Sequence, residues 1–138
     1  MSARERLARA QAELARALGQ AGPVPEGFDA ERVRAAADAL LSKRRRRVQR
    51  AWPRLAGALG EDFRARFDAW AREHPLEAEG SPLADGRRFA GALLATEAFP
   101  PEAREELRAF ERRRGWVHRA RVALRRTWAR LSHIRTQL

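Results

Sequence analysis

The stretch that decides the fold runs from Asp29 to Gly60 and reads DAERVRAAADALLSKRRRRVQRAWPRLAGALG. Val33, Ala37, Leu41, Val48, Trp52, Leu55 and Leu59 recur at helical spacing, which makes one face of the segment apolar. Asp29 has the short acceptor side chain that suits an N-cap, and Glu31 suits the positive end of the helix that follows. Pro53 has no N–H to donate, so the pattern predicts a break near Trp52 and a short second helix that Gly60 ends. Between Leu41 and Val48 the stripe passes over Arg44 and Arg45. At least one of these falls at the edge of the buried face, where a guanidinium needs a carboxylate or a backbone carbonyl. The expected arrangement is snorkelling, with only the stem buried.

On the N-terminal side, Leu7, Ala10, Leu14, Ala17 and Leu18 predict a helix over 3–18, and the Gly/Pro-rich stretch 19–27 ends it. That helix either packs on the domain or stands apart as an arm. On the C-terminal side, Asp62 is the expected cap of a helix whose stripe is Phe63, Phe67, Trp70 and Ala71, an aromatic core pattern. Residues 75–85 form a loop with two prolines and a glycine, and Asp85 is the expected cap of a helix carrying Phe89, Leu93 and Leu94. Pro101 at a first helical position opens another, with Ala103, Leu107 and Phe110 inward. In 116–138, Val117, Ala120, Leu124, Trp128, Leu131, Arg135 and Leu138 follow a helical period. The second option there is a β-hairpin with strands near 119–125 and 129–136, because Arg121, Ala123 and Arg125 alternate with Val122 and Leu124.

The chain has 138 residues, one ordinary domain's length, and a net charge of +11. Every basic residue except Lys43 is arginine. An Ala- and Arg-rich chain reflects GC-rich codons in part, so position is more informative than content. Residues 43–54 hold seven basic residues and 112–138 hold nine arginines, with no acid in either, while the rest has 13 basic against 18 acidic residues. Segregated charge of this kind suggests an anionic partner, whether nucleic acid, an acidic peptide or an acidic protein surface; the alternative is two solvated helix faces in an Arg-rich proteome.

Chemistry-bearing patterns are missing. With no cysteine, disulfides, zinc ribbons and thiol catalysis are excluded. Neither a phosphate-cradling glycine loop nor H-E-x-x-H occurs. His74, His118 and His133 are far apart, the four serines (Ser2, Ser42, Ser81 and Ser132) are scattered, and there is no tyrosine. The reading is therefore a non-enzyme with no cofactor and no metal site. Absence of an apolar run long enough to span a bilayer, and of a signal-like N-terminus, predicts a cytoplasmic protein off the membrane.

Residues 46–94 carry an ordered set of motifs: Arg46-Arg47-Val48, Trp52-Pro53-Arg54-Leu55, Leu59-Gly60-Glu61-Asp62-Phe63, Phe67, Trp70, His74-Pro75, Gly80-Ser81-Pro82, Asp85-Gly86, Phe89 and Leu93. The run resembles the HvfC-like family of bacterial proteins labelled as DNA-binding domains, in its actinobacterial form. That family includes the accessory proteins of methanobactin-type peptide biosynthesis. The resemblance implies a compact helical fold. It also implies a partner, a TIM-barrel enzyme with several non-haem irons that modifies a ribosomally made precursor peptide. The iron ligands then belong to the enzyme, and no peptide-contacting residue transfers position by position.

Together these observations predict a mainly all-α chain of about five or six helices. Its expected parts are an N-terminal helix and linker (1–28), a helical core (29–111) and a basic C-terminal segment (112–138). The expected function is a non-catalytic accessory subunit that binds the iron enzyme and helps present the peptide; the alternative is a nucleic-acid-binding protein. Candidate contacts for a partner, peptide or anion are Arg44, Arg45, Arg46, Arg47, Arg50, Arg54, Arg87, Arg88, Trp116, Arg119, Arg121, Arg125, Arg126 and Trp128. In the nucleic-acid reading, Trp52, Trp116 or Trp128 stacks on unpaired bases. A third reading, a homodimer through 116–138, has too few heptads for a firm coiled coil and would set arginines against their own copies.

Overall fold

A computed structural model describes the backbone of residues 1–20 and 22–134 and all of their side chains except those of Gln20 and residues 127–134. The described residues are all-α. The elements are α1 (Ala3–Gln20), α2 (Ala30–Ala51), α3 (Pro53–Leu59), α4 (Asp62–Glu73), α5 (Pro82–Ala95), a 3-10 turn (Pro101–Ala103) and α6 (Arg104–Ile134). They divide into two units, Met1–Glu102 and Ala103–Leu138.

In the first unit, Asp29 caps α2 as expected, its Oδ1 accepting from the amides of Glu31 at 3.0 Å and Arg32 at 3.2 Å. The helix stops where Pro53 denies it the next donor, and α3 restarts with Pro53 in its first turn. Trp52 at this junction is buried, and its indole N–H donates to the Leu83 carbonyl at 3.0 Å. Gly60 closes α3 at φ +56°, a left-handed conformation that glycine adopts without a Cβ penalty.

The aromatic stripe of α4 is core. Phe67 meets Phe89 of α5 edge-on at 5.3 Å between ring centroids, and Phe63 meets the same ring at 6.1 Å. Among the described residues, Trp52, Phe67, Phe89, Leu55 and Val48 are the largest fully buried side chains, each stabilising by about 1.5–3 kcal/mol. α1 packs on α2 and α4, with Ala17 buried, so its C-terminal part is no detached arm.

Two local expectations are corrected. Asp62 is the first residue of α4, and the residue at the cap is Glu61, which makes no side-chain capping bond. α5 starts earlier than Asp85 implied: Ser81 is its cap, accepting from the Ala84 amide at 3.1 Å, and Pro82 opens the helix. Asp85 and Gly86 are therefore interior to α5 and buried. A Cβ at Gly86 would stand 2.2 Å from Cδ1 of Trp52, so the indole rests directly on the helix backbone.

In the second unit, α6 is one helix across the expected boundary at 112, and Gly115 does not interrupt it. Through Ile134 the hairpin option is overturned, since the segment is helical. Arg135 and Leu138 lie outside the described residues, as does the side chain of Trp128. Trp116, Val117 and Leu124 are exposed along α6.

Candidate docking groove and its arginines

Each residue of a helix turns the chain by about 100°, so a run of four arginines cannot face one way. Arg44 and Arg45 point to the two sides of buried Val48. Lys43, Arg46, Arg47 and Arg50 gather on the opposite, exposed face.

Arg44 is committed inside the first unit. Its Nε and Nη2 donate to the two carboxylate oxygens of Asp85 at 2.8 and 2.7 Å, a bidentate fork. Its Nη1 donates to the carbonyls of Ala71 at 3.2 Å and His74 at 2.8 Å, which caps the C-terminal end of α4. The guanidinium carbon also lies 5.3 Å from the Trp70 ring centroid. Side-chain exposure is 10% for Arg44 and 2% for Asp85, so this pair is screened little by solvent. Arg45 donates from Nη1 to both oxygens of Asp68, at 2.7 and 2.6 Å, and from Nη2 to Ser42 Oγ at 2.9 Å.

These two positions correct the expectation of snorkelling. Carboxylate pairing replaces it at both, because α4 and α5 each place a buried aspartate within reach. Neither guanidinium is presented to an external anion. Sequence reading missed Asp68 and Asp85 as partners, since 23 and 41 residues separate each pair and only packing joins them.

Lys43, Arg46, Arg47 and Arg50 form no ion pair among the described residues. Arg54 and Arg87 each have an interaction within the chain. Arg88 donates to the Pro75 carbonyl at 3.3 Å, lies 3.5 Å from a Glu77 carboxylate oxygen and stands over the Trp70 ring. Trp70 is further stacked on His74 at 4.9 Å, and Nδ1 of His74 lies 2.8 Å from the Trp70 carbonyl, so that nitrogen carries the proton and donates. Trp52 is buried and unavailable for base stacking. In α6, Trp116 is 68% exposed, and Arg119, Arg121, Arg125 and Arg126 are exposed with it. Near the start of α6, the Arg112 guanidinium 2.8 Å from Glu105 holds that carboxyl below the ordinary glutamate range, with help from Arg108.

Two of the exposed cations border a cavity of about 310 Å³ in the first unit. Its walls are Leu18 at the end of α1, Ala37, Leu40 and Leu41 on α2, Ala71 on α4, Leu76 of the following loop and Pro82 of α5. Lys43, Arg47 and Arg72 stand at its border with one carboxylate, Asp38, and the Arg44–Asp85 pair forms part of its lining. Leu40 and Leu76 are about half exposed. Arg72, Leu40 and Leu76 had no sequence signal: Leu40 lies outside the apolar stripe read for its helix, and Leu76 falls in the segment 75–85 read as a loop. Among the described residues, no group of three or more His, Asp or Glu side chains is placed to hold a metal ion. No described helix is long and apolar enough to cross a membrane.

Comparison with known proteins places residues 8–95 in a match to the family described as SCO6045-like, C-terminal domain. The matched span contains the motifs of 46–94, under a family description other than the HvfC-like one. A UPF0276 protein of Streptomyces avermitilis is 40% identical over 119 residues, which is 86% of this chain and 23% of the relative. The chain thus spans about a quarter of the length of the curated relative it matches. A stretch of 119 residues is longer than the first unit, so the likeness reaches into α6. No solved structure matches.

Proposed function

The chain belongs to the family of SCO6045-like C-terminal domains, and from that premise we propose that it is a non-catalytic accessory domain of a larger peptide-modifying assembly. The observation that carries this reading is the relative in which the same domain accounts for only 23% of a longer polypeptide. A domain joined to a much larger body in one protein works beside that body, in one chain or in two. The resemblance of 46–94 to HvfC-like accessory proteins supplies the finer content. In this reading the larger body is a TIM-barrel non-haem iron enzyme, the substrate is a ribosomally made precursor peptide, and both meet in the cytoplasm.

The physical surfaces suit the role. A bordered apolar groove and a face of unpaired cations recognise chains, while the composition supplies no cysteine and no tyrosine for chemistry. The test is affinity purification of the tagged protein from its native host, with half the lysate treated with nuclease. A nuclease-resistant iron protein of TIM-barrel size recovered with the chain is the expected result. Loss of all partners after nuclease, with a defined nucleic acid in the untreated half, overturns it.

That second outcome belongs to a nucleic-acid reading, favoured by the exposed Lys43, Arg46, Arg47 and Arg50 and by exposed Trp116. It is weakened by the internal pairing of Arg44 and Arg45 and by burial of Trp52. Sequence-indifferent binding that fades with salt would not establish it, since any such cationic face shows that.

A further inference from the structure

We infer that the groove between α2, the end of α4 and the loop after it takes an acidic amphipathic helix of a peptide partner, with leucine-like side chains between Leu40 and Leu76 and carboxylates against Lys43, Arg47 and Arg72. The inference deepens the accessory reading by naming the class of segment that the domain presents.

Three observations lead to it. The cavity of about 310 Å³ is lined mainly by aliphatic side chains, and Leu40 and Leu76 are left 49% and 48% exposed. Such a surface favours an apolar occupant. The cations at its border have no carboxylate partner of their own among the described residues, whereas the Arg44–Asp85 pair in the lining is already satisfied. Three such cations against the one unpaired carboxylate there, Asp38, leave net positive charge around the apolar lining, which selects an apolar segment flanked by Asp or Glu. Finally, the walls are helices and a loop, with no strand among the described residues. An extended peptide would find no edge to pair with, and its amides would be buried without partners. A helix satisfies its own backbone, so it is the form that fits an apolar groove between helices.

The test selects peptides about 15 residues long, roughly four helical turns, from a random display library on the immobilised full chain. The same library is run on two groove variants, Leu40→Asp/Leu76→Asp and Arg47→Glu/Arg72→Glu. A further variant, Arg46→Glu, removes charge outside the groove. Far-UV CD and thermal unfolding establish that each variant is folded, and both groove variants alter exposed side chains only. The expected result is enrichment of sequences with apolar residues at i, i+3/i+4 and i+7 and with excess Asp and Glu. Their affinity falls about tenfold or more in each groove variant, the effect of losing a central anchor or its charge partner, and less than about threefold in Arg46→Glu. Basic or uncharged selected sequences, affinity indifferent to both groove variants, or no enrichment above the variants overturns the inference. A fatty acid carried in the groove on native mass spectrometry, or a dimer by light scattering that the groove variants dissociate, overturns it in favour of that other occupant. The same variants pass through the host co-purification. Peptide loss with the enzyme retained supports both readings, whereas peptide capture without any recovered enzyme keeps the groove and removes the accessory role.

Discussion

Replacing Arg44 by Met tests whether one buried ion pair organises the first unit. The substitution keeps a long apolar stem but removes both donors to Asp85 and the donors to the Ala71 and His74 carbonyls. It leaves a carboxylate with 2% side-chain exposure and no counter-charge. Breaking a buried pair by deleting one partner costs about 3–5 kcal/mol, because the remaining charge has lost its solvation without compensation. A domain's total stability is about 5–15 kcal/mol, so the loss removes about a fifth of it at the least and, at the low end of that range, nearly all of it. At about 4–8 °C per kcal/mol for a unit of this length, a loss of 3 kcal/mol lowers Tm by about 12–24 °C. Urea unfolding followed by far-UV CD and by emission of buried Trp52 and Trp70 measures the loss. Adding Asp85→Leu to Arg44→Met removes the lone charge and should recover a substantial part of it. A single-variant loss under about 1 kcal/mol, the range of exposed pairs, would refute the reasoning. So would a double variant as unstable as the sum of its parts.

Gly86→Ala gains about 1 kcal/mol of helix propensity but sets a methyl 2.2 Å from Trp52 Cδ1, an overpacking cost of about 1–3 kcal/mol, so a net loss of up to about 2 kcal/mol is expected in the same urea assay. Net stabilisation would mean the indole does not rest on α5. Trp52→Phe gives up the bond to the Leu83 carbonyl and part of a buried ring, costing about 2 kcal/mol and removing a quencher-protected part of the tryptophan emission. For Glu105, NMR titration of the carboxyl should give a midpoint below that of glutamate in an unstructured peptide, and Arg112→Ala should raise it. The sign follows from the lowered value: the Glu105–Arg112 contribution to α6 is present above the unfolded-state value and lost as pH falls through the folded one. A midpoint unmoved by Arg112→Ala contradicts the contact.

The local grammar of this fold is legible in sequence because it depends on neighbours. Asp29 needs only the next amides, Pro53 needs only its missing N–H, and the Phe63/Phe67/Trp70 stripe needs only the helical period. What sequence missed was tertiary. Asp85 looked like a cap because it follows a Pro-containing loop, yet Ser81 and Pro82 had already started the helix. Gly86 directly follows that expected cap, yet its missing Cβ makes room for a tryptophan 34 positions away. The boundary expected at 112 does not interrupt α6, and Gly115 costs a long helix only about 1 kcal/mol, within what its neighbours offset. The groove was least legible, since Leu40, Leu76 and Arg72 come from different elements and no periodicity links them.

The arginine run carries a wider consequence for how basic segments are read. Residues 44–47 look like one cationic motif, but helical geometry splits them into two inward residues bound to Asp68 and Asp85 and two outward residues with no such partner. The inward pair joins α2 to α4 and α5, and Arg44 also closes the end of α4 beside the groove. Mutating all four at once would therefore abolish binding to any anion whatever the protein's partner, because the scaffold of the groove would go with it. Only the outward set, Lys43, Arg46, Arg47 and Arg50, separates recognition from folding, since surface substitutions away from packed features usually change stability by under about 0.5 kcal/mol. A loss of partner in that set reports on the surface. A loss that appears only with Arg44 or Arg45 reports on the fold.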